Sequence, residues 1–309
     1  MIAVCLALAG ACRARDSQPQ PARPTEPPAR IVALTPSLVE ITFALGLGPR
    51  VVGVSSFANY PPEAAKLAKV GDFLQPSIER IASLRPDLVL LDAVQVSPAA
   101  ALRAAGIRSL ALPIESIEDV RRAIRAVGAA TGAETRAAQL LRELDADLAA
   151  ASVRAEGRPR PRVLFAVDRE LGSLRNLVCA GPSTYLDELI RRAGGDNVLA
   201  DAKLRFLRVA PEEILARAPT VILDAVHTRD VQRARADWQA LATVPAVARG
   251  RVYVLADPAF VTPGPRLGQM LKRLAEMLHP GAADAGAGGA AAPPSKAEPQ
   301  AGDLTNDSP

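Results

Sequence analysis

An internal repeat constrains the fold of this chain more than any other feature of its sequence. The passage that begins at Phe73 recurs from Phe206, and phenylalanine, leucine, glutamate, isoleucine and proline stand in the same register without a gap. Each copy is typical of a loop, a short helix, a proline break and a buried strand. Because this period is far longer than that of a solenoid, the repeat indicates two similar lobes. It also places a glutamate, Glu79 or Glu212, at the same point of each lobe.

Length and composition agree with two lobes that contain real cores. The chain has 309 residues, enough for two medium-sized domains, and 49% of them are hydrophobic. Its formal charge of +4 comes mainly from arginines scattered along predicted helices. No basic run is interleaved with aromatic residues, so the sequence argues against a nucleic-acid partner. The arginines are interpreted as solvated helix surface.

Short β-branched or leucine-rich runs alternate with helical patterns, which predicts α/β lobes on largely parallel sheets. We assign the N-terminal lobe to residues 31–132 and the C-terminal lobe to residues 158–280. A capping-box pattern at residues 131–134 and one apolar stripe predict a long helix over residues 133–157. The expected fold is therefore two Rossmann-like α/β lobes joined by a single long α-helix, with a ligand cleft between the lobes. The predicted strands are 31–35, 51–54, 88–91, 109–112, 163–167, 221–223 and 252–255, and the other predicted helices are 37–45, 78–84, 98–105, 117–130, 184–193, 211–216, 237–242 and 266–278.

The two ends of the chain do not resemble packed structure. Residues 1–11 are apolar but too short to cross a bilayer, and they match the core of a signal peptide. Cys12 follows Leu-Ala-Gly-Ala, which resembles a bacterial lipobox, so we expect Cys12 to be lipidated and to anchor the protein to a membrane. An ordinary cleaved signal is the alternative. Residues 13–30 contain five prolines and predict an extended tether, and residues 281–309 predict a disordered tail.

Several motifs, in order, resemble one protein family over residues 30–280. They are Arg30-Ile-Val-Ala-Leu-Thr-Pro-Ser37, Val52-Gly-Val-Ser-Ser, Tyr60-Pro-Pro-Glu-Ala64, Glu79-Arg-Ile-Ala-Ser-Leu-Arg-Pro-Asp-Leu-Val89, Gly194-Gly-Asp-Asn-Val198, Ile214-Leu-Ala-Arg-Ala-Pro219 and Pro263-Gly-Pro-Arg266. On these motifs the chain resembles bacterial periplasmic binding proteins with a helical backbone, and among them most closely the cobalamin-binding members that serve ABC importers. The resemblance implies an extracytoplasmic, monomeric protein that carries cobalamin or a related corrinoid to a permease dimer with its ATPase. Carriage of a ferric siderophore or of haem, as in other members of the family, is the alternative.

The resemblance implies a docking site on each lobe. In the family, a glutamate on each lobe docks onto arginines of the permease, and the matching residues are Glu79 and Glu212. The internal repeat picks out the same pair independently. A glutamate in the first turn of a helix also stabilises the helix dipole, and this is the alternative role for both residues.

The resemblance also implies a set of ligand contacts. Phe73 and Phe206 match aromatic positions that touch the corrin, and Tyr60 matches an aromatic near the cleft. Asp257 matches a region that contacts polar groups of the ligand, and Phe57 is a further candidate. Aromatic area suits planar or edge contact with a macrocycle. A position in the hydrophobic core is the alternative for Phe73 and Phe206.

Residue types that other functions require are scarce. The chain has two histidines, His227 and His279, whereas carriers of a bare metal ion need several histidines with a carboxylate. No nucleophile elbow, zinc-protease, Walker or dinucleotide-binding motif occurs. We therefore expect no enzymatic activity, no cofactor and no metal site within the protein itself. Cys179 has no obvious partner, so no disulfide framework is predicted, and the single tryptophan, Trp238, is interpreted as structural.

Overall fold

The computed structural model describes residues 26–280 apart from Arg154, His227 and Arg229. The predicted signal peptide, Cys12, most of the tether and the predicted tail lie outside the described residues. The described part forms two α/β lobes joined by one long helix, which confirms the predicted fold class. None of its helices is both long enough and apolar enough to cross a membrane.

The N-terminal lobe is a five-stranded sheet covered by helices. Its strands are β1 (Ile31–Ala33), β2 (Val51–Val54), β3 (Ala68–Lys69), β4 (Leu88–Asp92) and β5 (Ser109–Leu112). Its helices are α1 (Pro36–Ala44), α2 (Pro62–Ala65), α3 (Ile78–Ser83), α4 (Val96–Ala104) and α5 (Ile117–Thr131). All strands run parallel in the order β3-β2-β1-β4-β5, and the central strand β1 is buried along its whole length. Burial of this kind is expected of a parallel sheet with helices on both faces.

The C-terminal lobe repeats this plan with additional strands. Its strands are β6 (Arg162–Asp168), β7 (Leu177–Ala180), β8 (Asp196–Asn197), β9 (Phe206–Val209), β10 (Val221–Asp224) and β11 (Val252–Val254). Its helices are α7 (Tyr185–Arg192), α8 (Pro211–Arg217), α9 (Val231–Asp237), α10 (Pro245–Ala248) and α11 (Leu267–Leu278). The helix predicted at residues 237–242 is in fact the last residue of α9 followed by a short 3-10 helix, Trp238–Leu241.

One edge of the C-terminal sheet departs from the predicted parallel plan. The strand order is β11-β10-β6-β7-β9, with β8 alongside β6, and β7 and β9 run antiparallel to their neighbours. None of β7, β8 and β9 was predicted, because such short runs carry little periodicity. As a result Phe206 opens a strand, whereas Phe73, its counterpart in the repeat, lies in a loop.

The connecting helix α6 (Glu134–Val153) packs against α5 of the N-terminal lobe and α11 of the C-terminal lobe. Two glycines allow these helices to approach closely. A Cβ atom placed on Gly128 of α5 would lie 2.7 Å from the Cβ of Ala137, and one placed on Gly268 of α11 would overlap the Cβ of Asp147. One helix of each lobe therefore holds α6 tightly. The side chains that α6 buries are those of the predicted stripe: Ala137, Leu140, Leu144, Leu148 and Ala151.

Trp238 is fully buried in the C-terminal lobe, which confirms its structural interpretation. Its Nε1 donates a hydrogen bond of 2.7 Å to the carboxylate of Asp224, the last residue of β10. Arg169, which follows β6, donates to the same carboxylate and also to Asp237 at 2.7 Å. A buried charge is tolerated only with partners of this kind. The network therefore fixes the carboxyl ends of β6 and β10 relative to each other.

Candidate functional site

The candidate ligand site lies between the lobes, where the parallel strands of both sheets end. A pocket of about 260 Å³, called the cleft pocket below, is lined by residues of both lobes. In open α/β sheets, ligands bind outside the carboxyl ends of the strands, and the cleft pocket follows this rule in each lobe. The N-terminal lobe contributes Thr35, Pro36, Ser37, Phe73, Asp92 and Ile114, and the C-terminal lobe contributes Val167, Tyr185, Phe206, Val261 and Pro263.

Phe73 is held at the rim of this pocket by a buried glutamine. Gln95 precedes α4 and is 4% exposed. Its side-chain nitrogen donates to the backbone oxygen of Phe73 at 2.6 Å, and its side-chain oxygen accepts from the backbone N–H of Asp92 at 2.9 Å. Both polar groups of one amide are therefore satisfied. Gln95 thus ties the Phe73 loop to the carboxyl end of β4.

The lobes touch at one end of the cleft through Glu115, which follows β5. Its backbone oxygen accepts a hydrogen bond of 3.0 Å from the N–H of Tyr185, the first residue of α7. Its carboxylate forms an ion pair of 2.8 Å with Arg205, the residue before Phe206. The segment that carries Phe206 is therefore attached to the N-terminal lobe as well as to its own.

A second contact between the lobes joins Glu40 of α1 to Arg266, which precedes α11. The Nε of Arg266 donates to Glu40 Oε2 at 2.9 Å, and both side chains are largely buried. Burial raises the pKa of Glu40, and the hydrogen bond from Arg266 opposes that shift. The guanidinium of Arg266 also lies 3.9 Å from the ring centroid of Tyr60, a cation–π contact. Tyr60 therefore belongs to this interlobe contact.

Two other residues predicted to bind ligand lie outside the lining of the cleft pocket. The side chain of Asp257 accepts from the N–H of Ala259 at 2.9 Å and pairs with Arg273 at 2.6 Å. Phe57 lies in the loop after β2 and is 66% exposed. Of the five predicted ligand residues, the structure thus brings Phe73 and Phe206 together in one pocket. It places Tyr60 beside a neighbouring interlobe contact.

The polar side chains of the cleft pocket are biased towards their neutral forms. Burial raises the pKa of Asp92, the nearby carboxylate of Glu115 acts in the same direction, and hydrogen bonding from the N–H of Val94 opposes the shift. Burial also raises the pKa of Tyr185, so its phenol stays protonated at neutral pH. The pocket therefore combines aromatic and apolar surface with a few polar groups, which is the usual composition of a small-molecule site.

Most of the lining of this pocket was not predicted from the sequence. Thr35 and Ser37 belong to a motif that supported the family resemblance, but no role was assigned to them. Asp92 and Val167 lie at the carboxyl ends of β4 and β6, and this position in a predicted parallel sheet was the available signal. Tyr185 gave no local signal, because it enters the pocket only through contact between the lobes.

Glu79 and Glu212 occupy equivalent positions on the two lobes. Each is the second residue of its helix, α3 or α8, and each is exposed. Among the described residues, neither carboxylate has a hydrogen-bond or ion-pair partner. The adjacent Glu213, by contrast, pairs with Arg217 at 2.9 Å. Two unpaired carboxylates are therefore presented at matched points of the lobes.

The remaining candidate metal ligands do not gather in one place. Within the part of the chain that the structure describes, no three histidine, cysteine, aspartate or glutamate side chains form a metal-binding group. His279 lies at the C-cap of α11, and its ring contacts the backbone oxygen of Ala193 at 3.0 Å. Burial lowers the pKa of His279 and raises that of the buried Cys179. His227 lies outside the described residues.

Comparison with known proteins agrees with this architecture. The periplasmic binding protein family matches residues 31–259. An uncharacterized ABC transporter substrate-binding lipoprotein of Bacillus subtilis, YvrC, is 34% identical over 82% of this chain and 81% of its own length. A vitamin B12-binding protein of Salmonella paratyphi A is 30% identical over 71% of this chain and 80% of its own length. The periplasmic heme-binding protein RhuT from Roseiflexus sp. RS-1, solved in its apo form, has a TM-score of 0.72 and 34% identity over 81% of this chain and 97% of its own.

The chain therefore belongs to the periplasmic binding protein family, and the resemblance seen in its motifs is confirmed. Fold and family together define its class as a substrate-binding protein of the ABC-importer type, in a group of carriers for cobalamin, haem or siderophores. The named relatives are transport proteins and not enzymes. Membership of this family implies a location outside the cytoplasm.

The first prediction concerns Gln95. Gln95→Leu keeps the approximate size of the side chain but removes both of its hydrogen bonds, and leaving buried polar groups unpaired costs about 1–3 kcal/mol. We expect a loss of that order in the free energy of unfolding, measured in urea. Amide hydrogen exchange should become faster at Leu74 and Gln75, next to the freed Phe73. Gln75→Leu, at an exposed position in the same loop, is the matched control and should change neither quantity.

Proposed function

We propose that this protein captures cobalamin or a related corrinoid in the cleft and delivers it to the permease of an ABC importer. The observation that carries the proposal is the pairing of Phe73 and Phe206 in the cleft pocket, one from each lobe. Two rings on opposite lobes provide apolar area for a large, flat ligand. The vitamin B12-binding relative supports the same ligand class.

The size of the pocket fits only part of such a ligand. Sites for small molecules usually enclose about 300–1,000 Å³, and the cleft pocket has about 260 Å³. A macrocycle would therefore enter with one edge and extend from the mouth between the lobes. Thr35 and Ser37, at the start of α1, are placed to meet polar groups on that edge.

Haem or a ferric siderophore is the second candidate. The likeness to a heme-binding structure at 34% identity favours haem within this alternative. Within this alternative, Tyr185 in the lining of the cleft pocket is the candidate ligand for iron, because a bound metal ion lowers the pKa of a group that coordinates it. A corrinoid can be held through contacts on its faces and edges, without a protein ligand to its metal. We rank cobalamin first because of the vitamin B12-binding relative and the two phenylalanines in the cleft pocket.

A titration panel tests the ligand. We expect one-to-one binding of cobalamin by calorimetry, with the ligand recovered unchanged. Phe73→Ala and Phe206→Ala should each weaken binding by about 2 kcal/mol, the usual cost of truncating a buried anchor. Leu74→Ala is the matched control, since Leu74 is exposed and lies outside the pocket lining. Saturable binding of haem or a ferric siderophore, without heat from cobalamin, would transfer the proposal to the second candidate.

We further propose that Glu79 and Glu212 dock onto the permease. Their equivalent, exposed and unpaired carboxylates support this role, because a dimeric receptor presents the same cationic site twice. Exposed ion pairs contribute only about 0.2–1 kcal/mol, so a pair on the open surface would bind weakly. At a desolvated interface, loss of one partner can cost about 2–5 kcal/mol.

The docking prediction separates binding from delivery. Glu79→Arg and Glu212→Arg should fold and bind ligand as the unmodified protein does, yet lose stimulation of uptake in vesicles that contain the permease and its ATPase. Complex formation should weaken as salt rises. Glu134→Arg is the control, because Glu134 is also an exposed glutamate in the first turn of a helix, α6. If both charge-reversed variants support uptake at the original rate, the docking role is wrong and Glu79 and Glu212 only stabilise the dipoles of their helices.

We also propose that Cys12 is lipidated and holds the protein at the membrane, for which the lipobox-like sequence before it is the support. The full chain expressed in a bacterium should partition with membranes, and Cys12→Ala should release it or block maturation. Mass spectrometry of the mature N-terminus measures the outcome directly. An unmodified N-terminus downstream of Cys12 would contradict the proposal.

A further inference from the structure

A second and larger pocket lies outside the cleft, on the side of the molecule where α6 joins the lobes. Its volume is about 790 Å³. We call it the side groove. Its walls come from α1, the loop before β2, the loop that contains Tyr60, α2, α6 and the start of α11. Its apolar and aromatic lining includes Phe43, Tyr60, Leu67, Leu140, Leu144 and Pro265.

The side groove carries a net negative charge. Glu40 is paired with Arg266, so those two charges cancel. Glu143 is also in the lining and is paired with Arg136. Glu63 and Asp147 line the groove as well, and neither carboxylate has a hydrogen-bond or ion-pair partner among the described residues. The groove therefore suits an occupant that offers positive charge together with apolar surface.

The segment of residues 13–25 in the same chain has this chemistry. It carries arginines at positions 13, 15 and 23 against one aspartate, Asp16. Its Pro21 and Pro24 are spaced three residues apart, and Pro27 continues the series. A polyproline II helix has three residues per turn, so such prolines fall on one face. Grooves lined by aromatic side chains are the usual receptors of proline-rich segments.

The described chain begins close enough to the groove for this segment to reach it. Pro27 packs near Gly132, at the junction of α5 and α6, since a Cβ on Gly132 would lie 3.2 Å from the Pro27 ring. Leu140 and Asp147 lie along α6 at about 12 and 22 Å from Gly132, at 1.5 Å per residue. Thirteen residues in polyproline II span about 40 Å, at ~3.1 Å per residue. Residues 13–25 are therefore long enough to extend from Pro27 along the side groove.

We propose that residues 13–25 lie in the side groove, with their prolines on its aromatic wall and their arginines beside Glu63 and Asp147. The proposal is independent of the identity of the ligand in the cleft. Such docking would bring the lobes closer to Cys12, the proposed point of attachment to the membrane.

Paramagnetic broadening within the chain tests the proposal. The protein from Arg13 to Pro309 is prepared with Cys179→Ala, so that a nitroxide can be attached through Ser17→Cys alone. Leucine methyl resonances are then compared with the nitroxide active and after its reduction. We expect strong loss of signal at Leu67, Leu140 and Leu144 in the groove, and none at Leu215 on α8, far from it.

Charge exchange separates docking from chance proximity. Glu63→Arg combined with Asp147→Asn should restore the methyl signals, and replacing the three arginines of residues 13–25 by glutamate should do the same. Combining the arginine replacements with Glu63→Arg should return the broadening. Glu170→Arg, at an exposed carboxylate outside the groove, is the matched control and should leave the broadening intact. Each folded variant is verified by its spectrum away from the groove.

Three results would overturn the proposal. The groove methyls could keep full intensity in the unmodified protein, or the broadening could persist unchanged through both charge reversals. The broadening could also appear only between molecules, when isotope-labelled chains without nitroxide are mixed with nitroxide-labelled chains. Residues 13–25 of a second copy would then occupy the groove. Broadening that is independent of protein concentration, and that fades as salt rises, supports docking within one chain.

Discussion

The close packing of α6 between α5 and α11 is the constraint on which the rest of the molecule depends. Gly128 and Gly268 remove the side chains that would hold these helices apart, and α6 buries its apolar stripe in the space so created. Because one neighbour belongs to each lobe, this packing sets the orientation of both sheets at once. The carboxyl ends of the sheets then meet across the cleft, which is where parallel strands direct their ligand-binding loops.

Ion pairs at the two ends of the cleft complete this arrangement, and they differ in strength. Glu115 and Arg205 are both substantially exposed, so their pair contributes little to stability. Glu40 and Arg266 are largely buried, and removal of either would leave a charge without its partner. The buried pair therefore defines the firmer end of the cleft. Tyr60, stacked on Arg266, is part of that end.

Much of the architecture could be predicted from the sequence, because it follows from local patterns. Long periodic stretches marked the lobes and α6, and the order of residues in the repeat was enough to identify Glu79, Glu212, Phe73 and Phe206. The antiparallel strands β7 and β9 could not be predicted, since each has four residues and is defined by its partner. The partners of Gln95 and the arginine stacked on Tyr60 depend on contacts between segments distant in sequence, which no local pattern encodes.

The close packing of α6 against α5 and α11 bears on how a receptor would distinguish filled from vacant carriers. Helices in such close contact restrict rotation of the lobes, so we expect Glu79 and Glu212 to keep nearly the same separation when a ligand binds. A receptor that reads only these two carboxylates would accept filled and vacant carriers alike. Vacant carriers would then compete with filled carriers for that receptor. In that case the ratio of carrier to receptor, as well as the affinity for cargo, would influence the rate of import.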